Sequence, residues 1–271
     1  MWVWETNETP QGAIVIVHGS GEHHGRYRWL RRQWLDSGFH VIMGDLPGHG
    51  KSPGIKGHID RFDEYIDAVE SWTKKGEKFH LPLFLLGHSL GGLSVIRTLQ
   101  EKQMAVQGII LSSPCLGLTF PMPSLLKKTS YFLNKVAPEL LIPTKRSAGN
   151  KKATRNQEVL QRDAGDPLML TKISARWYWE LETAMEEAFQ KIDKFPDVPV
   201  LILQAGDDKI VNKHSVKKWF DSLKAKNKVY KEWTGLYHEV FNEPERKSVF
   251  QHALSFIENN MSSGGLFSEN T

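Results

Sequence analysis

Apolar and polar positions divide this chain into alternating segments. Runs of aliphatic residues at 13–17, 83–86 and 198–203 read as strands buried on both faces, and 40–44 and 106–111 share that character. Residues 228–233 alternate apolar with polar as a last strand, and 2–5 fit an edge strand. Between these runs, apolar residues recur at helical spacing. Trp29, Leu30 and Trp34 mark a helix over 27–37 that Gly38 closes. Phe62, Tyr65, Ile66, Val69 and Trp72 mark another over 60–73, and Val216, Trp219, Phe220 and Leu223 one over 215–225. Further helices are predicted over 94–103, 174–190 and 243–259. Strands alternating with helices predict an α/β fold with a mostly parallel sheet flanked by helices on both sides. The alternation stops at 117–172, a stretch with five prolines and no clear strand. It follows a strand, so it reads as an insertion at the sheet's C-terminal edge, where open α/β sheets place ligands. The expected organisation is a core of 1–116 and 173–261 around an insertion of 117–172. Residues 262–271 are polar and Gly/Ser-containing, and are expected to form a tail without ordered structure.

Composition narrows the picture. A chain of 271 residues is long enough to bury the core of one α/β domain with an insertion. The net charge of +4 is unevenly placed: 117–172 has ten Lys/Arg and four acids, hence +6, which leaves −2 for the rest. The single cysteine, Cys115, excludes an intrachain disulfide framework and a cysteine zinc cluster. His23 and His24 show no partnering ligand at metal-binding spacing, so no metal is expected. Gly50-Lys51-Ser52 lacks the upstream glycine of a phosphate-binding loop. Neither nucleotide nor nucleic-acid partners are expected, and no cofactor. The N-terminus does not read as a signal peptide, and no apolar run approaches a membrane span. The expectation is a cytoplasmic protein, with peripheral membrane contact left open.

The stretch that bears chemistry is Leu83 to Gly92. A buried strand runs into Gly87-His88-Ser89-Leu90-Gly91, and a helix follows. A serine at a sharp strand-to-helix turn, with glycine two positions to either side, is the pattern of a nucleophile elbow. The glycines let strand and helix approach, and the helix N-terminus favours developing negative charge. A serine hydroxyl needs a base, and His238, in a loop after the last predicted strand, is the candidate. The base needs a carboxylate to fix its tautomer. Asp207 and Asp208 both follow the strand over 198–203; Asp208 is the choice, and the other is expected only to solvate or cap the turn. The order Ser89, Asp208, His238 agrees with that expectation. An oxyanion hole needs two backbone N–H donors, expected from Leu90 and from Ser20 in the glycine-rich loop after 13–17. His18, His49 and His88 lie near the site and are expected to hold loops by hydrogen bonds.

Several stretches together resemble the monoacylglycerol lipase and lysophospholipase branch of the serine α/β-hydrolases. They are His18-Gly19-Ser20-Gly21-Glu22-His23-His24-Gly25-Arg26-Tyr27, Asp45-Leu46-Pro47-Gly48-His49-Gly50-Lys51-Ser52, Gly87-His88-Ser89-Leu90-Gly91-Gly92, Asp166-Pro167-Leu168 and Leu236-Tyr237-His238-Glu239. The Tyr-His-Glu-Val-Phe-Asn-Glu-Pro-Glu-Arg stretch from Tyr237 resembles bacterial phospholipase or lysophospholipase members. The resemblance implies an α/β-hydrolase fold, a triad of Ser89, Asp208 and His238, oxyanion amides of Ser20 and Leu90, and a cap formed by 117–172. It implies a serine ester hydrolase acting on lysophospholipid or monoacylglycerol through an acyl-enzyme. A general carboxylesterase, a small-residue aminopeptidase and a noncatalytic lipid-binding module remain alternatives.

Within the insertion, Leu125, Leu126, Thr129, Phe132, Leu133 and Val136 fall on one face of a predicted helix, opposite Lys127, Lys128, Asn134 and Lys135. Leu125, Phe132 and Leu133 are candidate acyl-chain contacts, and the lysines candidate contacts for anionic headgroups or an anionic membrane. The plainer expectation is a helix packed on the core with a solvated basic outer face. Oligomeric state is not readable.

Overall fold

The computed structural model describes residues 1–121, 123–144 and 151–264, with side chains except those of 124–126 and 262–264. The first half of the core holds β1 (Trp2–Trp4), β2 (Gly12–Val17), α1 (Arg28–Asp36), β3 (Phe39–Met43), α2 (Asp63–Glu77), β4 (Leu83–His88), α3 (Leu90–Glu101) and β5 (Gly108–Ser112). The insertion follows with α4 (Ser124–Val136), β6 (Leu141–Pro143), α5 (Gln157–Ala164) and β7 (Lys172–Ser174). The chain then returns to the core through α6 (Ala175–Gln190), β8 (Val200–Ala205), α7 (Lys213–Ser222), β9 (Lys228–Trp233) and α8 (Arg246–Gly264). Seven strands form one sheet in the order β1-β3-β2-β4-β5-β8-β9. All its pairings are parallel except the edge pairing of β1 with β3.

The period of two along the central strands builds two cores at once. Ala13, Val15 and Val17 of β2, with Leu83 and Leu85 of β4, face the layer of α2, α3, α6 and α7. Ile14, Ile16, Phe84 and Leu86 point the other way, against Leu30 and Trp34 of α1 and Val249, Ala253 and Ile257 of α8. A strand with an apolar layer on each side needs an unbroken apolar run, which is what the sequence shows. Gly38 ends α1 with φ +80°, a left-handed cap that suits glycine.

The insertion departs from expectation in three ways. Residues 117–119 are tied to the segment between β8 and α7: Leu118 bridges Val211, and the Thr119 N–H donates to the Ile210 carbonyl at 3.0 Å. Strands do occur in it, because β6 pairs antiparallel with β7; strands this short exist only through their partner. The face of α4 that docks is also the polar one. Ser130 is buried and accepts from Trp179 Nε1 at 3.1 Å, Lys127 pairs with Glu182 at 2.7 Å, and the Asn134 carbonyl accepts from Arg176 at 3.4 Å. Phe132 and Val136 are left 64% and 59% exposed. At the C-terminus, α8 runs past residue 261, where the tail was expected to begin; 265–271 lie outside the described residues.

Candidate active site

The turn between β4 and α3 is built by close approach. Ser89 sits in it with φ 51° and ψ −116°, a conformation L-residues rarely hold. A Cβ on Gly87 would lie 2.6 Å from the Gly91 carbonyl oxygen, and one on Gly91 would overlap the Val17 carbonyl at the end of β2. Both positions therefore require glycine. The Ser89 backbone is tied on both sides: its N–H donates to the Ser112 carbonyl at 2.9 Å, and its carbonyl accepts from Cys115 at 3.0 Å. Leu90 opens α3, so its N–H has no intrahelical acceptor.

The loops after β8 and β9 bring Asp208 and His238 together, with His238 Nδ1 2.8 Å from Asp208 Oδ2. Asp208 Oδ1 accepts from the amides of Ile210 and Val211, each at 2.9 Å. Burial works to raise the Asp208 pKa, but His238 and these amides outweigh it and hold the carboxyl below its ordinary range. Asp207 is exposed. With Nδ1–H donated to Asp208, the other ring nitrogen of His238 is the basic one. It is buried and hydrogen-bonded to no described atom. Ser89 and His238 line one cavity of about 600 Å³, its open mouth included, together with Gly19, Ser20 and Gly21. The insertion closes the far side with Thr154, Leu160, Asp163 and Met169. Phe132 and Leu133 do not line it: Phe132 faces outward on α4 and Leu133 is half-buried. The Leu125 side chain lies outside the described residues.

The neighbouring histidines hold loops. His18 Nε2 accepts from the Leu46 amide at 2.9 Å, His49 Nδ1 donates to the Pro47 carbonyl at 2.9 Å, and His88 Nδ1 donates to the Ser112 carbonyl at 3.1 Å. Burial lowers all three pKa values, that of His49 to about 3 and that of His88 to about 4. His23 and His24 do have carboxylate partners, which spacing along the chain could not show. His24 Nδ1 donates to Asp45 at 2.8 Å and His23 Nε2 to Asp166 of the insertion at 2.8 Å. His23, His24 and Asp45 thus gather in a group, but Asp45 also accepts from the His24 and Lys51 amides.

Sequence reasoning assigned no role to four further residues in the cavity wall: Glu22, Arg26, Asp163 and Glu239. Three of them stand in the motifs quoted above. The available signal was the presence of charges in the loops that flank Ser89 and His238, which sequence alone does not distinguish from surface charge.

The sheet order, the turn at Ser89 and the Asp208–His238 pair on consecutive sheet loops define an α/β-hydrolase. The chain belongs to the hydrolase family described as serine aminopeptidase, S33, whose model matches residues 8–245. It is 48% identical over 259 residues to phospholipase YtpA of Bacillus subtilis (strain 168), covering 95% of this chain and 99% of that one. It is 29% identical over 270 residues to the monoglyceride lipase of Homo sapiens, covering 97% and 87%. The crystal structure of the Paleococcus ferrophilus monoacylglycerol lipase matches with a TM-score of 0.84 at 32% identity, covering 96% of this chain and 98% of that one.

Proposed function

We propose that this protein is a serine ester hydrolase acting on single-chain lipid esters, lysophospholipids or monoacylglycerols, through an acyl-enzyme. The observation that carries the reading is the cavity itself. Ser89 stands at a strained helix N-terminus in the same cavity as a buried imidazole whose Nδ1–H is committed to Asp208. His238 Nε2 takes the Ser89 proton as the hydroxyl oxygen attacks the ester carbonyl. The amides of Ser20 and Leu90 receive the negative charge on the carbonyl oxygen. His238 then protonates the leaving alcohol, and water enters by the reverse sequence to release the fatty acid. Asp208 holds the tautomer and stabilises the imidazolium. No step needs a cofactor. The relatives named phospholipase and monoglyceride lipase favour lipid esters as the substrate class.

The test is a fluorophosphonate probe followed by a substrate panel. The panel comprises a lysophosphatidylcholine, a monoacylglycerol, a short nitrophenyl ester and an aminoacyl anilide, each with Ser89→Ala as the blank. The expected result is probe labelling and lipid-ester hydrolysis that Ser89→Ala abolishes without loss of fold. Labelling that survives the substitution would reassign the nucleophile. Turnover of the anilide alone would replace the lipid reading with an aminopeptidase, and turnover of the short ester alone with a general carboxylesterase.

The exposed face of α4 supports a second element of the reading, peripheral contact with an anionic lipid surface by a cap made of the insertion. Phe132, Tyr131 and Val136 face outward beside Lys128 and Lys135, a mixed apolar and basic surface that suits an interface. No helix among the described residues is long and apolar enough to cross a membrane.

A further inference from the structure

The cavity beside Ser89 contains more buried charge than the Asp208–His238 pair requires. Arg26 lies in its wall, 4% exposed, and its guanidinium meets three carboxylates. It pairs closely with Glu22 and with Asp163, and contacts Glu239 Oε2 at 2.9 Å and Oε1 at 3.2 Å. The other oxygen of Glu22 accepts from the Gly19 amide at 2.6 Å and the Tyr27 hydroxyl at 2.8 Å. Burial disfavours the charged carboxylates, but Arg26 outweighs it and holds Glu22 and Glu239 below the ordinary range, so both stay ionised at neutral pH. One cation facing three anions leaves the wall net negative. Arg162 reaches Asp163 Oδ1 at 2.8 Å, but from outside the cavity, with its side chain 42% exposed. No lysine among the described residues lines the cavity. The excess charge shares the cavity with Ser89 and with the unpartnered, buried Nε2 of His238. In a buried wall of low dielectric, fixed charge acts more strongly on a substrate than the same charge would in water.

Building on the ester-hydrolase reading of Ser89, we propose that this wall is a charge filter on the headgroup, with Asp163, supplied by the insertion, as a specificity-determining residue. Single-chain esters whose headgroup is uncharged, or whose phosphate is balanced by a cation, enter and react. Esters with a net negative headgroup are rejected. The same field speeds departure of the carboxylate product. The filter reverses the expectation that a basic insertion reads anionic headgroups: Lys128 and Lys135 are exposed on α4, outside the cavity, and the charge that meets the reacting ester has the opposite sign.

The experiment compares octanoyl esters of glycerol and of glycerol 3-phosphate, both below their micellar concentrations so that surface attraction does not enter. The readout is the ratio of kcat/KM for the anionic ester to that for the neutral one, which cancels changes in the amount of active enzyme. Wild-type protein should favour the neutral ester. Asp163→Asn should raise the ratio about tenfold, the effect of removing one unit charge roughly 10 Å away at an effective dielectric near 20. Arg162→Gln, which strips Asp163 of its outer cation, should lower it. Equal wild-type rates on the two esters, or faster turnover of the anionic one, would overturn the filter while leaving the hydrolase reading intact. So would a ratio that moves the same way in both variants, since loss of structure has no sign. Should Asp163→Asn not fold, the wild-type ratio and Arg162→Gln still decide the matter. Hydrolysis of neither ester, with Ser89 unlabelled by the fluorophosphonate, would overturn the hydrolase reading and the filter with it.

Discussion

Ser89 keeps its left-handed backbone because its neighbours leave no alternative. Gly91 lies against the end of β2, and the Ser89 N–H and carbonyl are committed to the last residue of β5 and to Cys115 just beyond it. The adjacent acids show the same local determinism. Asp208 accepts the Ile210 and Val211 amides and so faces His238, which leaves Asp207 in solvent. Asp208→Asn is therefore expected to cut kcat by about 10³–10⁴-fold with an unchanged circular dichroism spectrum, since the amide favours the wrong imidazole tautomer. Asp207→Asn should stay within a few-fold of wild type, and a comparable loss in both would break the assignment. As candidates, Ser89 and His238 were legible from motif and chain order. The choice between Asp207 and Asp208 was legible only as a preference, because neighbouring residues in a turn point in directions that sequence does not encode.

At the scale of elements, α4 is the instructive case. Its apolar stripe predicts burial of Phe132 and Val136, yet the helix docks through Ser130, Lys127 and Asn134. Polar and cationic groups on α6 and α4 satisfy one another, while Phe132 and Val136 of the apolar stripe stay exposed. Phe132→Asp should thus change unfolding free energy by no more than about 0.5 kcal/mol, as for an exposed site. The same substitution should markedly weaken cosedimentation with anionic vesicles; unchanged vesicle binding would remove α4 from the interface. Element α3 departs in a different sense. It begins at Leu90 rather than near 94, because Gly91 and Gly92 are poor helix formers that the elbow nevertheless requires. The period of the pattern found the helix, and tertiary contact decided where it starts.

Across the whole molecule, buried histidines tie stability to pH. Burial holds His18, His49 and His88 below the ordinary value, His49 at about 3 and His88 at about 4, so the folded protein keeps them neutral. The unfolded chain binds their protons first, from about pH 6.5 downward. Their contribution is intact above that pH and is lost as pH falls toward 4, with each group adding up to about 1.4 kcal/mol per pH unit to the slope. Denaturant titrations at steps between pH 7 and 4 should show stability falling steadily, and a flat profile there would contradict neutral burial. The ion cluster is also a property of the whole molecule. Glu22 and Arg26 follow β2, Asp163 belongs to α5 in the insertion, and Glu239 follows β9.

The sequence by itself determined the strand runs, the helix periods, the elbow glycines and the order of Ser89, Asp208 and His238 along the chain. Each of these is written in local spacing or in chain order, which strand twist and crossover handedness convert into a fixed topology. Tertiary structure alone decided which face of α4 docks, that β6 and β7 exist, and that the carboxylates of Asp45 and Asp166 meet His24 and His23. It also decided that one buried guanidinium faces three carboxylates beside Ser89. These features depend on distances between segments remote in the chain, and on burial that gives a charge its strength only once the surrounding fold has excluded water.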